Sequence, residues 1–376
     1  MMTRRDLMKA IAAAPLAGEM ARAERNPAAP VSIARCDSYD GDLTGTLSGM
    51  FDQLGGLGRI VKNKTVTIKV NLTGSPALKF QGKPLGLTHY THPKMAAAMA
   101  YLLERSGARR VRFVESAWAT SGPLEEYLLD SGWNVRLLFG AAKTVEFENT
   151  NALGKGKQYV RLKVPAGGQI FPAFDLNHAY EDTDVFMSMA KLKNHATCGV
   201  TLSMKNCFGI TPASIYGDDA GVDGPNENPE KGRVNVCHEG KRQPAKSAPQ
   251  ELDAKSSREP GYRMPRIVSD LAATRPIDIA LIDGIETVAG GEGPWIRGIH
   301  HVKPGVLIAG TNAVNTDTVA TAVMGYDPRA DRGTAPFTMC DNTLKLAEAL
   351  GVGSADLKKI EVRGVPIHDA TFRFSA

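Results

Sequence analysis

Residues 91–116 read THPKMAAAMAYLLERSGARRVRFVES, and this stretch decides the fold class. From Pro93 to Ser106 the Ala, Met and Leu residues recur at helical spacing, with Thr91 placed as a cap. The proline falls in the first turn, where a missing N–H costs nothing, and Gly107 ends the run. Val111 to Glu115 then has the composition of a buried strand. Upstream, Thr65 to Val70 has the same character. A strand, a helix and a strand in that order predict a crossover and so a parallel pairing, because parallel neighbours cannot be joined by a tight turn.

Working outward, further strand-like runs are Val135 to Phe139, Asp184 to Met189, Ile277 to Asp283, Val306 to Ala309 and Ile360 to Arg363, and a second helix is expected over Leu124 to Asp130. The alternation predicts an α/β fold: a mixed, mostly parallel sheet flanked by helices, forming a single domain over residues 64–376. Residues 216–262 are rich in Gly, Pro, Asn, Asp, Lys and Ser and poor in large apolar residues, so this stretch is expected to be a long irregular insertion, a loop or lid. In open sheets of this class ligands favour the carboxyl ends of the strands.

The 376 residues are 43% hydrophobic and 23% charged, with 38 glycines, which suits a loop-rich globular chain. A formal charge of +5, with basic residues scattered among acids, argues against nucleic acid as a partner. No apolar run outside the amino terminus reaches the roughly 18 residues of a membrane span. The five cysteines Cys36, Cys198, Cys207, Cys237 and Cys340 contain no C-x-x-C pair, so neither an iron–sulfur cluster nor a zinc ribbon is expected.

The first residues run Thr3-Arg4-Arg5-Asp6-Leu7-Met8-Lys9, then an alanine-rich apolar stretch, then Ala21-Arg22-Ala23. A charged start, an apolar middle and an A-x-A site resemble a twin-arginine export signal over residues 1–23, with a mature chain from about Glu24 and a linker and lead-in over 24–63. The twin-arginine (Tat) machinery is then an expected partner, and the periplasm or another exported location the expected destination.

The densest polar segment is Lys191-Leu192-Lys193-Asn194-His195, followed by Thr201 and Lys205-Asn206. Lys191 and Lys193 alternate on extended backbone and so are expected to share a side, while Thr201 and Lys205 are four apart, as on one helix face. Three ammonium groups suit an anion or a general acid/base role, with His195 as proton shuttle or metal ligand. A second group is Asp283-Gly284-Ile285-Glu286 with Gly290-Gly291-Glu292-Gly293-Pro294, where Gly291 and Gly293 would let backbone approach a ligand closely. Asp283, Glu286 and Glu292 are candidate ligands for a hard divalent cation such as Mg²⁺ or Ca²⁺, or partners for the lysines, and Asp317, from the Asn312, Asn315 and Asp317 group at a helix start, is a further metal-ligand candidate or a cap. Lys69, Asn71, Glu115 and Ser116 end two strands and are expected to face the same ligand. The glycine run lacks the strand–helix setting of a dinucleotide site, and no P-loop, nucleophile elbow, H-E-x-x-H helix or EF-hand loop occurs.

With these residues in view, IKVNL (68–72), THP (91–93), FVES (113–116), MAKLKNHATCGVTLSMKNCFGITP (189–212), IDGIETVAGGEGP (282–294) and GTNAVNTDTVATAVMGYDP (310–328) together resemble the family of the domain of unknown function 362, over Lys64 to about Pro328. The resemblance implies an α/β protein with Lys191, Lys193, His195, Lys205, Asn206, Asp283, Glu292 and Asp317 at matched positions. Some relatives add a ferredoxin-like module with cysteine clusters, and this sequence lacks those cysteines. The leading expectation is an exported enzyme that binds an anionic small molecule through Lys191, Lys193 and Lys205, with His195 or a carboxylate handling protons. Its rivals are a metal-assisted version, a solute or cofactor carrier without turnover, and a purely structural role for the polar clusters.

Overall fold

The computed structural model describes residues 29–118, 120–151, 159–165 and 167–374, so the export signal read over 1–23 lies outside the described residues. The chain opens with β1 (Val31–Arg35), α1 (Leu43–Gln53) and α2 (Leu57–Val61), then β2 (Thr65–Lys69), α3 (Pro93–Arg105) and β3 (Arg110–Glu115). Two short helices, α4 (Leu124–Asp130) and α5 (Val135–Ala141), lead to β4 (Val145–Asn149), and a hairpin of β5 (Tyr159–Lys163) and β6 (Ala173–Asn177) precedes β7 (Val185–Lys191). A two-residue ribbon, β8 (Asn194–His195) with β9 (Gly199–Val200), opens into α6 (Leu202–Asn206) and α7 (Ala213–Tyr216). After the insertion come α8 (Pro260–Thr274), β10 (Ile279–Gly284), a hairpin of β11 (Thr287–Ala289) and β12 (His300–Val302), and β13 (Val306–Gly310). The chain closes with α9 (Ala313–Val323), α10 (Thr343–Ala349), β14 (Val362–Gly364) and α11 (Ile367–Ala370).

One eight-stranded sheet runs β14-β1-β13-β10-β7-β2-β3-β4. The neighbours β10, β7, β2, β3 and β4 are parallel, and β13 is antiparallel to both its neighbours, β1 and β10. The mixed, mostly parallel α/β sheet expected from the alternation is the sheet observed. Its central strands carry continuous apolar runs because both faces are covered. Val66, Ile68, Met187 and Met189 face the core under α1 and α3, while Phe186 and Ala280 enter the core beneath α8. Residues 31–61, expected as a lead-in, supply β1 to the sheet and α1 to one of its faces.

Two local expectations are corrected. Val135 to Phe139 is not a strand but lies in α5, capped by the Asn134 side chain, which accepts from the Arg136 N–H. Its apolar residues fail the two-sided burial a central strand needs, since Leu137 and Phe139 are exposed and only Leu138 is buried. The helix α3 is capped by His92, whose ring accepts from the Lys94 N–H, rather than by Thr91. Thr91 instead accepts from the Asn71 N–H at 2.7 Å and donates to the Met189 carbonyl at 3.0 Å, tying the exits of β2 and β7 together.

The insertion at 216–262 is irregular apart from one turn of π-helix at Val234–His238 and the start of α8, but it is not merely solvated. Tyr216, Val236, Cys237 and Ala248 join the core beneath α8. The buried ion pair Arg263–Glu251, at 2.5 Å, fastens the segment to that helix. Asp218 accepts from the Asn235 N–H at 2.7 Å and holds the turn that carries Arg233 and His238.

Candidate functional site

The carboxyl ends of β2, β3 and β7, the helix α6, the β11–β12 hairpin loop and the 233–238 turn enclose a cavity of about 470 Å³. Of the residues singled out in the sequence, Lys69, Asn71, Glu115, Ser116, Lys193, His195, Thr201, Lys205, Asn206 and Glu292 line it. Its deepest wall is a locked network. Lys69 pairs with Glu115 at 2.6 Å and donates to the Val70 carbonyl and to Asn206 Oδ1, which also accepts from Asn71. Glu115 Oε2 accepts from the Leu72 N–H at 2.8 Å, so one carboxylate serves both a buried ammonium and a buried backbone donor.

Above that wall the cations outnumber their partners. Lys193 is fully buried and, among the described residues, donates only to the carbonyls of His89 and Glu292, each at 3.0 Å; burial drives its pKa well below the usual lysine range. Lys205 is half-buried, and among the described residues its ammonium has neither a hydrogen bond nor an ion pair. It lies over the Phe208 ring, 4.5 Å from the centroid, and Arg233 lies 5.2 Å from the same centroid. Burial lowers the pKa of both. Four cations, Lys69, Lys193, Lys205 and Arg233, thus share the cavity with two carboxylates, Glu115 and Glu292.

The two cavity histidines are neutral at pH 7. Burial first and Lys205 second push His195 well below its ordinary value and His238 down to about 4. They carry their protons on opposite nitrogens. His195 Nδ1 accepts from the Thr197 N–H at 3.1 Å, which leaves the proton on Nε2, whereas His238 Nδ1 donates to the Arg233 carbonyl at 3.3 Å, which leaves Nε2 as an acceptor. Glu292 lies between the hairpin loop and the β8–β9 ribbon. Burial raises its pKa, but the positive charge of His195 when protonated, the Ala196 N–H and the indole N–H of Trp295 overcome that and hold the carboxyl at about 2.

The remaining candidates lie elsewhere. Lys191 does not share the cavity with Lys193: it is sealed in a pair with Asp283 at 2.9 Å and also donates to Tyr39 Oη and the Glu286 carbonyl. Asp317 accepts from the backbone N–H groups of Ser203 and Met204, each at 2.8 Å, and so caps α6. Asp283, Glu292 and Asp317 therefore do not converge, and among the described residues no three His, Cys, Asp or Glu side chains are grouped to hold a metal ion. Gly291 packs on Ile296 and Gly293 under the ring of Trp295, so both serve the hairpin loop rather than the cavity surface. Among the lining residues not singled out in the sequence are the aromatic or titratable Trp118, Phe208, Arg233, His238 and Trp295. The rarity of tryptophan, three in the chain, was the available signal for two of them.

A family model described as domain of unknown function 362 (DUF362) matches residues 66–322, more than half of the chain. The chain belongs to this family. Every cavity-lining residue, from Lys69 to Trp295, falls inside the DUF362 span. A curated relative, a thylakoid-associated protein of Synechocystis sp., is 28% identical over 187 residues, 49% of this chain and 51% of its own length. The chain thus spans about half the length of the curated relative it matches. A crystal structure of a Thermotoga maritima protein is 14% identical, covering 72% of this DUF362 chain and 56% of its own, with a TM-score of 0.35.

Proposed function

We propose that this chain is an exported protein that binds an anionic small molecule in the cavity above Lys69 and Glu115, using Lys193, Lys205 and Arg233. The observation that carries this reading is the Lys205 ammonium, half-buried in a cavity where four cations meet two carboxylates and, among the described residues, without an ion pair or hydrogen bond. A desolvated, unpaired cation is unfavourable, and a bound oxyanion relieves it through charge-assisted hydrogen bonds. His195 Nε2–H and the free Nε2 of His238 offer the bound molecule one donor and one acceptor, so the enzymatic form of this reading is proton transfer between them. Lys191, first counted among the anion ligands, is replaced in that role by Arg233.

Calorimetric titration of the mature protein with inorganic phosphate tests the binding. Lys205→Ala is expected to weaken it by roughly tenfold or more, the scale of one hydrogen bond to a charged group. Equal affinity in the two proteins would sink the reading. The export component has its own check: changing Arg4 and Arg5 to lysine is expected to leave the folded chain in the cytoplasmic fraction of its host, and unchanged export would refute a twin-arginine route.

A further inference from the structure

Two aromatic faces at the cavity remain unexplained by an anion alone. Trp118 follows β3 and Trp295 lies in the β11–β12 loop beyond β10, so in the strand order β10-β7-β2-β3 they flank the exits of β7 and β2, where Lys193 and Lys69 lie. Trp118 and Trp295 are each 43% exposed, whereas tryptophan is among the most buried residues on average.

Both rings are seated on glycine. A Cβ at Gly232 would come within 2.6 Å of the Trp118 ring, and one at Gly74 or Gly293 within 2.4 or 2.3 Å of the Trp295 ring. Any other residue at these positions would displace the indole, so the backbone itself forms the bed. Trp295 is oriented further by its N–H, which donates to Glu292 Oε1 at 3.1 Å. Gly232 also precedes Arg233, so one stretch of the insertion both seats an aromatic face and delivers a cation.

We infer that the ligand of this cavity is an aryl oxyanion, a planar aromatic ring bearing a carboxylate or phosphate, with its acid on Lys193, Lys205 and Arg233 and its ring against Trp118 and Trp295. This rests on the anion-binding reading and names its substrate class. An inorganic anion would engage the cations and fill only a small part of 470 Å³, leaving both indoles wet. A cationic ligand, which aromatic faces also attract, is disfavoured by the excess positive charge. An aromatic ring gains from stacking on each indole, and a rigid indole loses little entropy in providing the surface.

The test is a comparison of matched probes by calorimetry: inorganic phosphate against phenyl phosphate, and acetate against benzoate. The aryl member of each pair is expected to bind roughly tenfold more tightly. Trp118→Ala and Trp295→Ala are each expected to weaken the aryl member of each pair more than its non-aromatic partner, whereas Lys205→Ala weakens both members alike. Equal binding within each pair would overturn the aromatic assignment and leave the anion reading standing. Loss of phosphate and phenyl phosphate to the same degree in the tryptophan variants would also overturn it, by making the indoles structural. Absence of binding by every probe would remove both readings together.

Discussion

Asp283→Ala is expected to destabilise the protein by about 3–5 kcal/mol while leaving the anion affinity of the folded fraction unchanged. Asp283 and Lys191 are both fully buried and 2.9 Å apart, and the Tyr39 hydroxyl completes the cluster, donating to the carboxylate and accepting from the ammonium at 2.8 Å. Removing the carboxylate strands an ammonium whose remaining partners, Tyr39 and the Glu286 carbonyl, carry no formal negative charge. Burial already lowers the pKa of Lys191, with Asp283 the largest opposing influence, so in the variant the lysine loses its proton or the surrounding structure opens. Urea denaturation measures the loss, and Lys191→Met in the same background is expected to recover much of it, because an apolar side chain of similar length leaves no buried charge. A cost below about 1 kcal/mol for Asp283→Ala would refute the buried pair. Unchanged phosphate binding would separate this cluster from the cavity, to which neither residue contributes a wall.

That separation marks where sequence reasoning stopped. Lys191 and Lys193 are two residues apart, and alternation on an extended segment places both on one side. The strand ends at Lys191, however, and the chain then turns into the β8–β9 ribbon. The two ammonium groups acquire different partners: one closes a core cluster with β10 and Tyr39, the other faces the cavity. Period-two reasoning holds only while the backbone stays in the sheet. The sheet itself was legible, since runs such as Thr65 to Val70 and Ile277 to Asp283 are apolar on both faces and only a doubly covered parallel sheet requires that. The polar residues at the ends of β2, β3 and β7 were legible for the same reason, because side chains there reach past the core. Arg233 and His238 were not. They sit in a segment whose composition predicts only loop, and they are held at the cavity by contacts within that segment and to α8, Asp218 to Asn235 and Glu251 to Arg263, which composition does not reveal. The Asp283, Glu292 and Asp317 set failed because carboxylates near strand and helix ends have structural uses, pairing and capping, that composition cannot tell from metal ligation.

Asp317 leads to the second large effect, which is expected in the pH dependence of stability. Its carboxyl is fully enclosed, and burial pushes its pKa up from an ordinary 3.8 to about 7, against the two backbone N–H groups and the Ser203 side chain that favour the ionised form. Among the described residues no ion pair reaches it. Because the folded value lies above the unfolded one, the native state holds a proton between pH 3.8 and 7 that the unfolded chain has already released. Stability from this group is therefore fully present below pH 3.8 and declines as pH rises through 7. About three pH units of separation correspond to roughly 4 kcal/mol over that window. Asp317→Asn removes the titration, so subtracting its urea-derived stability from that of the wild type at each pH cancels the contribution of every other group. The difference is expected to fall by about that amount from pH 4 to pH 7.5, and a flat difference would show that the buried carboxyl titrates normally. The same carboxylate caps α6, which carries Lys205 and Asn206 to the cavity wall. Asparagine, presenting an amide N–H where a carboxylate oxygen accepted, sets donor against donor at Ser203 or Met204, and phosphate binding is expected to weaken along with the helix that positions its cation.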